Sequence, residues 1–190
     1  MADNRLLYST IHAPDEFLAR FKPVVLKQVH SDIIVDVDRE PAGVGDGLTT
    51  ARKNVGLGIK AADCLPVYLF SAGRICVIHC GWRSIIKGIP RRAARLMGDF
   101  SYVLGACIGP CCYEIRDDVA ELFARDLEPA LDRRRGKIFL DLKKCLTMIL
   151  GEEKFAASLD YCVKCHPELF FSNRGGDKGK RNYAVIVKEA

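Results

Sequence analysis

The sequence is poor in histidine and tryptophan. Its 190 residues include four His and one Trp, and aromatic residues make up only 8%. Four imidazoles cannot supply several metal centres at once, so chemistry spread over a large histidine set is excluded. The sparse aromatics, with no basic stripe interleaved among them, argue against a nucleic-acid partner. No apolar run approaches the roughly 18 residues that a membrane helix needs. The first residues, Met1-Ala2-Asp3-Asn4-Arg5, carry neither the apolar segment nor the small-residue cleavage site of a secretory signal. Internal repeats and low-complexity segments are absent. The 29 Lys+Arg exceed the 24 Asp+Glu to leave +5, a mild excess that suits an anionic small molecule.

What remains is a chain with 49% apolar and 28% charged residues, the composition of a soluble globule. Its length fits a single domain over 1–190, with a monomer as the simplest state and a reducing cytoplasm as the expected setting. The unusual number is nine cysteines. Being odd, they cannot all pair within one chain, and in a reducing compartment they serve as packing residues, metal ligands or nucleophiles.

Apolar, β-branched runs predict strands at 24–29, 33–37, 55–59, 67–70, 74–79, 102–107, 137–140 and 183–187. Helical spacing covers 82–97, 117–127 and 142–150, with Leu142, Leu146 and Ile149 on one face of the last. Pro90 is expected to split or kink the first of these at Ile89. Strands and helices without strict alternation predict an α/β or α+β domain, a layered mixed sheet with flanking helices.

Two of the four histidines end predicted strands: His30 in Lys27-Gln28-Val29-His30, and His79 just before Cys80-Gly81-Trp82-Arg83. Between them, Ala62-Asp63-Cys64-Leu65-Pro66 places a thiol and a carboxylate at the junction of two apolar strands. One soft thiolate and two imidazoles suit Zn²⁺, and three protein ligands leave a fourth position for water or substrate. The spacings are too wide for a finger-type knot, so the fold itself must assemble His30, Cys64 and His79. The plainer alternative makes Cys64 a small buried hydrophobe and the histidines ordinary half-buried residues.

Around these residues the chain resembles the YfiH-like family, also called laccase-domain or polyphenol oxidase proteins. The similarity lies in Gln28-Val29-His30, Gly45-Asp46-Gly47-Leu48-Thr49-Thr50, Ala62-Asp63-Cys64-Leu65-Pro66 and Val77-Ile78-His79-Cys80-Gly81-Trp82-Arg83. It continues through 105–114 and Leu169-Phe170-Phe171-Ser172-Asn173-Arg174. The resemblance implies a zinc-dependent purine nucleoside phosphorylase, with adenosine deamination and methylthioadenosine cleavage in related members. Its partners would be a purine nucleoside and phosphate. It also implies the metal ligands His30, Cys64 and His79 and a fold related to bacterial cytotoxic deamidases. Compared with the family the region before Gln28 is short, Ser31 and Ser84 stand where Gly is usual, and Cys80 replaces Ala. A multicopper oxidase would need a blue-copper site plus a histidine cluster, which four histidines cannot furnish, although a single Cu²⁺ could occupy the same three ligands in vitro.

Phosphorolysis needs an anion site, and Arg83, with the amides of Gly81-Trp82-Arg83 opening a helix, is the first candidate. Gln28 and Arg174 are further candidate substrate contacts. Arg83 could instead merely pair with Asp63. Asp63 could orient an imidazole, move protons as a general base, or cap a turn. The Gly-rich basic stretch 173–181 does not match a P-loop and reads as a lid or a solvated loop. A catalytic use of Cys64 with His79 in a metal-free cysteine hydrolase, and a non-catalytic binding protein on the same scaffold, are the competing functions.

The other cysteines divide into two sets. Cys162-Val163-Lys164-Cys165 has zinc-knuckle or redox spacing, and Cys107, Cys111 and Cys112 could add ligands. Without a spaced second Cys-x-x-Cys pair, buried packing near the site is the expected role of this set. Cys76, Cys80 and Cys145 read as core residues.

Overall fold

The structure is a computed structural model that describes residues 4–12 and 14–189. In chain order its elements begin with β1 (Asn4–Tyr8), α1 (Pro14–Phe21), β2 (Val24–Val25), β3 (Ile34–Asp36), β4 (Gly47–Thr50) and β5 (Gly56–Ala61). The middle of the chain forms β6 (Leu65–Phe70), β7 (Ile75–Cys80), α2 (Trp82–Lys87), α3 (Ile89–Met97), β8 (Ser101–Leu104) and β9 (Glu114–Ile115). The last third forms α4 (Asp117–Ala124), β10 (Leu131–Arg134), β11 (Lys137–Leu140), α5 (Leu142–Leu150), β12 (Phe155–Ser158) and β13 (Asn182–Lys188).

Six strands make the central sheet in the order β12-β8-β6-β7-β4-β3, four make a second sheet, β1-β13-β5-β2, and β10-β11-β9 form a small third sheet. Side-chain alternation along the central strands sets up the layers. Leu65, Val67 and Leu69 of β6 and Cys76, Ile78 and Cys80 of β7 join Ile85, Ala93, Phe123 and Leu146 of the helices in one core. Tyr68, Ile75 and Val77, on the opposite face, pack with Leu57, Ile59, Ala184 and Ile186 of the four-stranded sheet in a second core. The result is a sandwich with helices on one face of the central sheet and a second sheet on the other, the mixed layered architecture expected from the sequence.

Several element boundaries differ from expectation. The 24–29 strand is regular only at Val24–Val25, because Lys27 leaves it to form an isolated bridge with Val44. The 102–107 strand begins at Ser101 and stops at Leu104, and the helix from Asp117 ends at Ala124. The split in the 82–97 helix falls at Gly88, not at Ile89. Gly88 has φ +95°, and its N–H caps the carbonyls of Ser84 and Ile85. Pro90 is then in the first turn of α3, where no amide donor is needed. Helix α5 matches its expected span. Its buried face is Leu142, Cys145, Leu146 and Leu150, with Ile149 only partly buried against the core.

Strands β1, β4, β9, β10 and β12 are not evident from hydropathy. β4 is the informative omission, since every residue of Gly-Leu-Thr-Thr is buried. A Cβ on Gly47 would lie 2.8 Å from Ile34 and 2.9 Å from Ile78, so close strand packing requires the glycine that obscures the pattern.

Candidate metal centre and cleft

The chain passes from the four-stranded sheet to the central sheet twice in its first 65 residues, and each passage delivers a candidate ligand. Between β2 and β3 it places His30, and between β5 and β6 it places Asp63 and Cys64. Both passages turn sharply at a non-glycine residue with positive φ, +57° at His30 and +97° at Asp63. Such conformations persist only where surrounding contacts hold them, and they cluster at functional sites. The third candidate ligand, His79, lies on β7, where alternation carries it to the same face as Ile75 and Val77, toward the second sheet.

The three side chains converge. Ligand atoms of His30, Cys64 and His79 all lie within 4.8 Å of one another. Cys64 Sγ is 3.8 Å from His30 Nε2, and the two imidazole rings are 4.9 Å apart. Gly81 makes the approach possible, because a Cβ there would stand 2.8 Å from Cys64 Sγ and 3.0 Å from His30 Cδ2.

A buried carboxylate absent from the sequence-based candidate set orders this group. Asp46, fully buried just ahead of β4, accepts from His79 Nδ1 at 2.9 Å through Oδ1. Its Oδ2 accepts from the Val29 amide at 3.1 Å, the Ser31 amide at 2.6 Å and the Ser31 hydroxyl at 2.8 Å. One carboxylate therefore fixes both the tautomer of His79 and the loop that carries His30. The orienting role considered for Asp63 belongs to Asp46. The signal in the sequence is its place between two glycines in the Gly45–Thr50 stretch that carries the family resemblance.

Burial works against charge on Asp46, but the bond from His79 and those from Ser31 and Val29 hold its carboxyl far below the usual range. Burial likewise pushes the Cys64 thiol up, yet the charge of His79 and the bond from His30 bring it down to about 6. Burial lowers His79, while the Cys64 thiolate and Asp46 raise it to about 9. Each of the two groups thus favours the charged form of the other. With Nδ1 engaged by Asp46, His79 presents Nε2 to the centre, the arrangement of a ligand held by an outer carboxylate. A soft sulfur, two imidazole nitrogens and an ordered second layer match the donor set of a catalytic zinc site.

The centre opens into a cleft of about 760 Å³, a size suited to a small-molecule ligand. Its walls carry Lys27, Lys60, Arg83, Arg174 and Arg181 against the single carboxylate of Asp63, with Trp82, Tyr113 and Tyr183 as aromatic surfaces. Arg83 stacks on Trp82, its guanidinium 4.4 Å from the ring, and among the described residues it forms no ion pair with Asp63. Helix α2 has only six residues. Asp63 accepts from the Ser172 hydroxyl at 2.6 Å and the Arg174 amide at 2.8 Å, tying the 172–174 segment to the rim. Arg174 also donates to the Glu114 carbonyl at 3.1 Å and faces the Tyr113 ring. Gln28 borders the cleft, but its amide bonds both the N–H and the C=O of Lys60, at 2.8 and 2.7 Å. Asn173, Arg174, Gly179 and Arg181 bring the basic C-terminal stretch to the cleft edge.

The remaining histidines are elsewhere. His12 meets the Glu168 carbonyl at 3.1 Å and His166 meets the Glu168 carboxylate at 3.0 Å. Neither joins a cluster of possible metal ligands among the described residues. Cys76, Cys80, Cys107 and Cys145 are buried in the core. Burial raises the thiols of Cys76 and Cys145 to about 12, the behaviour of packing residues. Cys111 and Cys165, in contrast, are exposed. The expectation of buried packing fails for those two, and Cys107 stays outside their group.

Residues 8–189 match the family described as multi-copper polyphenol oxidoreductase laccase. The chain is 28% identical over 181 residues to a protein of Aquifex aeolicus named purine nucleoside phosphorylase, covering 90% of this chain and 86% of that one. It is 28% identical over 176 residues to a protein from an unknown prokaryotic organism named adenosine deaminase RL5, covering 82% and 67%. The crystal structure of YlmD from Geobacillus stearothermophilus superposes with a TM-score of 0.80 at 29% identity, covering 92% of this chain and 77% of that chain.

Proposed function

The chain belongs to this laccase-like polyphenol oxidoreductase family, and on that premise we propose that it is a zinc-dependent purine nucleoside phosphorylase. It would convert adenosine, inosine or methylthioadenosine, with phosphate, into free base and a ribose 1-phosphate. The observation that carries this reading is the convergence of His30, Cys64 and His79 beside a cleft that is cationic and aromatic together. The names of the relatives support the substrate class.

His30, Cys64 and His79 would hold the metal. Zinc bound there would supply Lewis-acid polarisation of a substrate oxygen or of water. The chain's own residues do the rest. Arg83, braced on Trp82, and Arg174, braced on Tyr113 and the Glu114 carbonyl, would bind phosphate through planar guanidinium forks. Trp82, Tyr113 and Tyr183 offer faces for a purine ring. Asp63, the one carboxylate lining the cleft, fixes the segment bearing Arg174 and would be the group to move a proton to a departing base or, in adenosine deamination, to the amine. The gain comes from holding phosphate and the ribose anomeric carbon together in one orientation.

Four histidines, two of them bonded to Glu168 outside the centre, weigh against a multicopper oxidase despite the family's name. A second reading has its own observation. The lowered Cys64 thiol beside His79 is the pair that a metal-independent cysteine hydrolase would use.

Assays of adenosine and inosine with and without phosphate test both readings, following base release and deamination in zinc-loaded and chelator-treated protein. The proposal expects base release that needs both phosphate and metal and falls at least 100-fold in His30→Ala. Turnover that survives chelation and stops on alkylation of Cys64 would replace it with the cysteine hydrolase.

A further inference from the structure

A second group of possible metal ligands lies outside the cleft. Cys111, Cys112, Cys162 and Cys165 bring their sulfur atoms within 4.8 Å of one another. Each pair is carried by a tight turn. The Cys112 amide closes one turn on the Gly109 carbonyl at 2.9 Å, and the Cys165 amide closes the other on the Cys162 carbonyl at 3.0 Å. A bridge between Cys107 and Cys162, with the Val163 amide donating to the Cys107 carbonyl at 3.0 Å, sets the two turns side by side. Gly109 leaves room for the sulfurs, since a Cβ there would lie 3.2 Å from Cys111 Sγ and 3.2 Å from Cys162 Cβ.

The spacing of the sulfurs is that of a tetrahedral site. Zinc–sulfur bonds of about 2.3 Å put the thiolates at the corners of a tetrahedron with edges of about 3.8 Å. Cys112 and Cys165 are 3.4 Å apart, and Cys111 and Cys165 are 3.7 Å apart. Packing explains only half of the group: Cys112 and Cys162 lie partly buried against the core, whereas Cys111 and Cys165 face solvent. A tetrathiolate site carries a net charge of −2, and cations are at hand. Arg134 donates to the Pro110 carbonyl at 2.8 Å, within the first turn, and Lys164 belongs to the second.

We propose that Cys111, Cys112, Cys162 and Cys165 bind a second zinc ion in a closed structural site. Binding exchanges four S–H protons, released to solvent, for four Zn–S bonds, with no change in oxidation state. With all four positions taken by protein the ion has no place for substrate, so its role is mechanical. One turn leads directly into Tyr113, and the other leads into the Ser172–Arg174 segment. Those residues meet across the cleft, where the Arg174 guanidinium faces Tyr113. The second ion clips together the two segments that form this wall.

The test is metal stoichiometry in the intact protein purified under reducing conditions, read by elemental analysis with cobalt substitution as a second measure. The wild type is expected to hold two zinc ions per chain. Cys64→Ser, which leaves the four-sulfur group untouched, should keep one and give the intense sulfur-to-cobalt charge-transfer spectrum of four thiolates. Cys162→Ser with Cys165→Ser should lose that spectrum. Should that double variant fail to fold, the Cys64→Ser protein alone decides. A Cys64→Ser protein that binds neither zinc nor cobalt, or whose four cysteines are found as disulfides without metal, overturns the proposal. An empty His30–Cys64–His79 centre beside a filled four-sulfur site would count against the proposed function only.

Discussion

At the residue scale, Asp46 does the most with one side chain. It sets the His79 tautomer and ties down the loop bearing His30, so its effect on a metal held there would be exerted through two ligands at once. Asp46→Asn is expected to weaken zinc binding at the centre by roughly 10- to 100-fold, the usual cost of losing such an outer partner. Competition with a chelator of known affinity measures it, and unchanged affinity would remove Asp46 from the account. Cys64 gives a second prediction. Its thiol is lowered from an ordinary 9.0 to about 6 by His79 and His30, so in metal-stripped protein it loses its proton as pH rises through about 6. Alkylation of Cys64 should therefore reach half its maximal rate near pH 6, and the rate should fall below that pH. A midpoint near pH 9 would mean that the imidazoles do not act on the sulfur.

At the scale of elements, the 82–97 segment shows how a sequence pattern can be right about a break and wrong about its place. Proline suggested Ile89, but proline is tolerated in a first helical turn, whereas Gly88 at φ +95° can end α2 at no steric cost. A Cβ at Gly88 would touch nothing within 4 Å, so Gly88→Ala isolates the backbone penalty. The substitution should lower unfolding stability by about 1 kcal/mol and leave the metal content intact. Denaturant titration reads the shift, and an unchanged midpoint would contradict the conformational role. The strands divide in a similar way. Long apolar runs such as those of β6 and β7 are legible because both faces of the central sheet are covered. β4 is hidden because it packs through a glycine and two threonines, and the two-residue strand β9 is too short to show a period.

At the scale of the whole molecule, the residues that converge were more legible than the backbone path that brings them together. His30, Cys64 and His79 stand out because histidine is scarce and each of the three borders an apolar run. Their convergence depends on two passages between sheets, with positive φ at His30 and Asp63, which no residue type announces. For the same reason the orienting role of Asp46 is not legible in its motif, and orienting an imidazole is only one of three roles open to Asp63, since which acid reaches an imidazole is settled by tertiary structure. The four-sulfur group was only half visible. Cys162 and Cys165 have a recognisable spacing, but their partners are adjacent cysteines some 50 positions earlier, brought alongside by a single bridge between loops.

The central claim is that one metal, held by an imidazole–thiolate–imidazole set, works in a phosphate-binding cleft. Its most direct test is to strip the protein of metal, return zinc in steps, and follow base release from inosine with and without phosphate. The account predicts activity that rises as the His30–Cys64–His79 centre fills and stays at background when phosphate is omitted. Base release that is indifferent to zinc, or that proceeds equally well without phosphate, would contradict it.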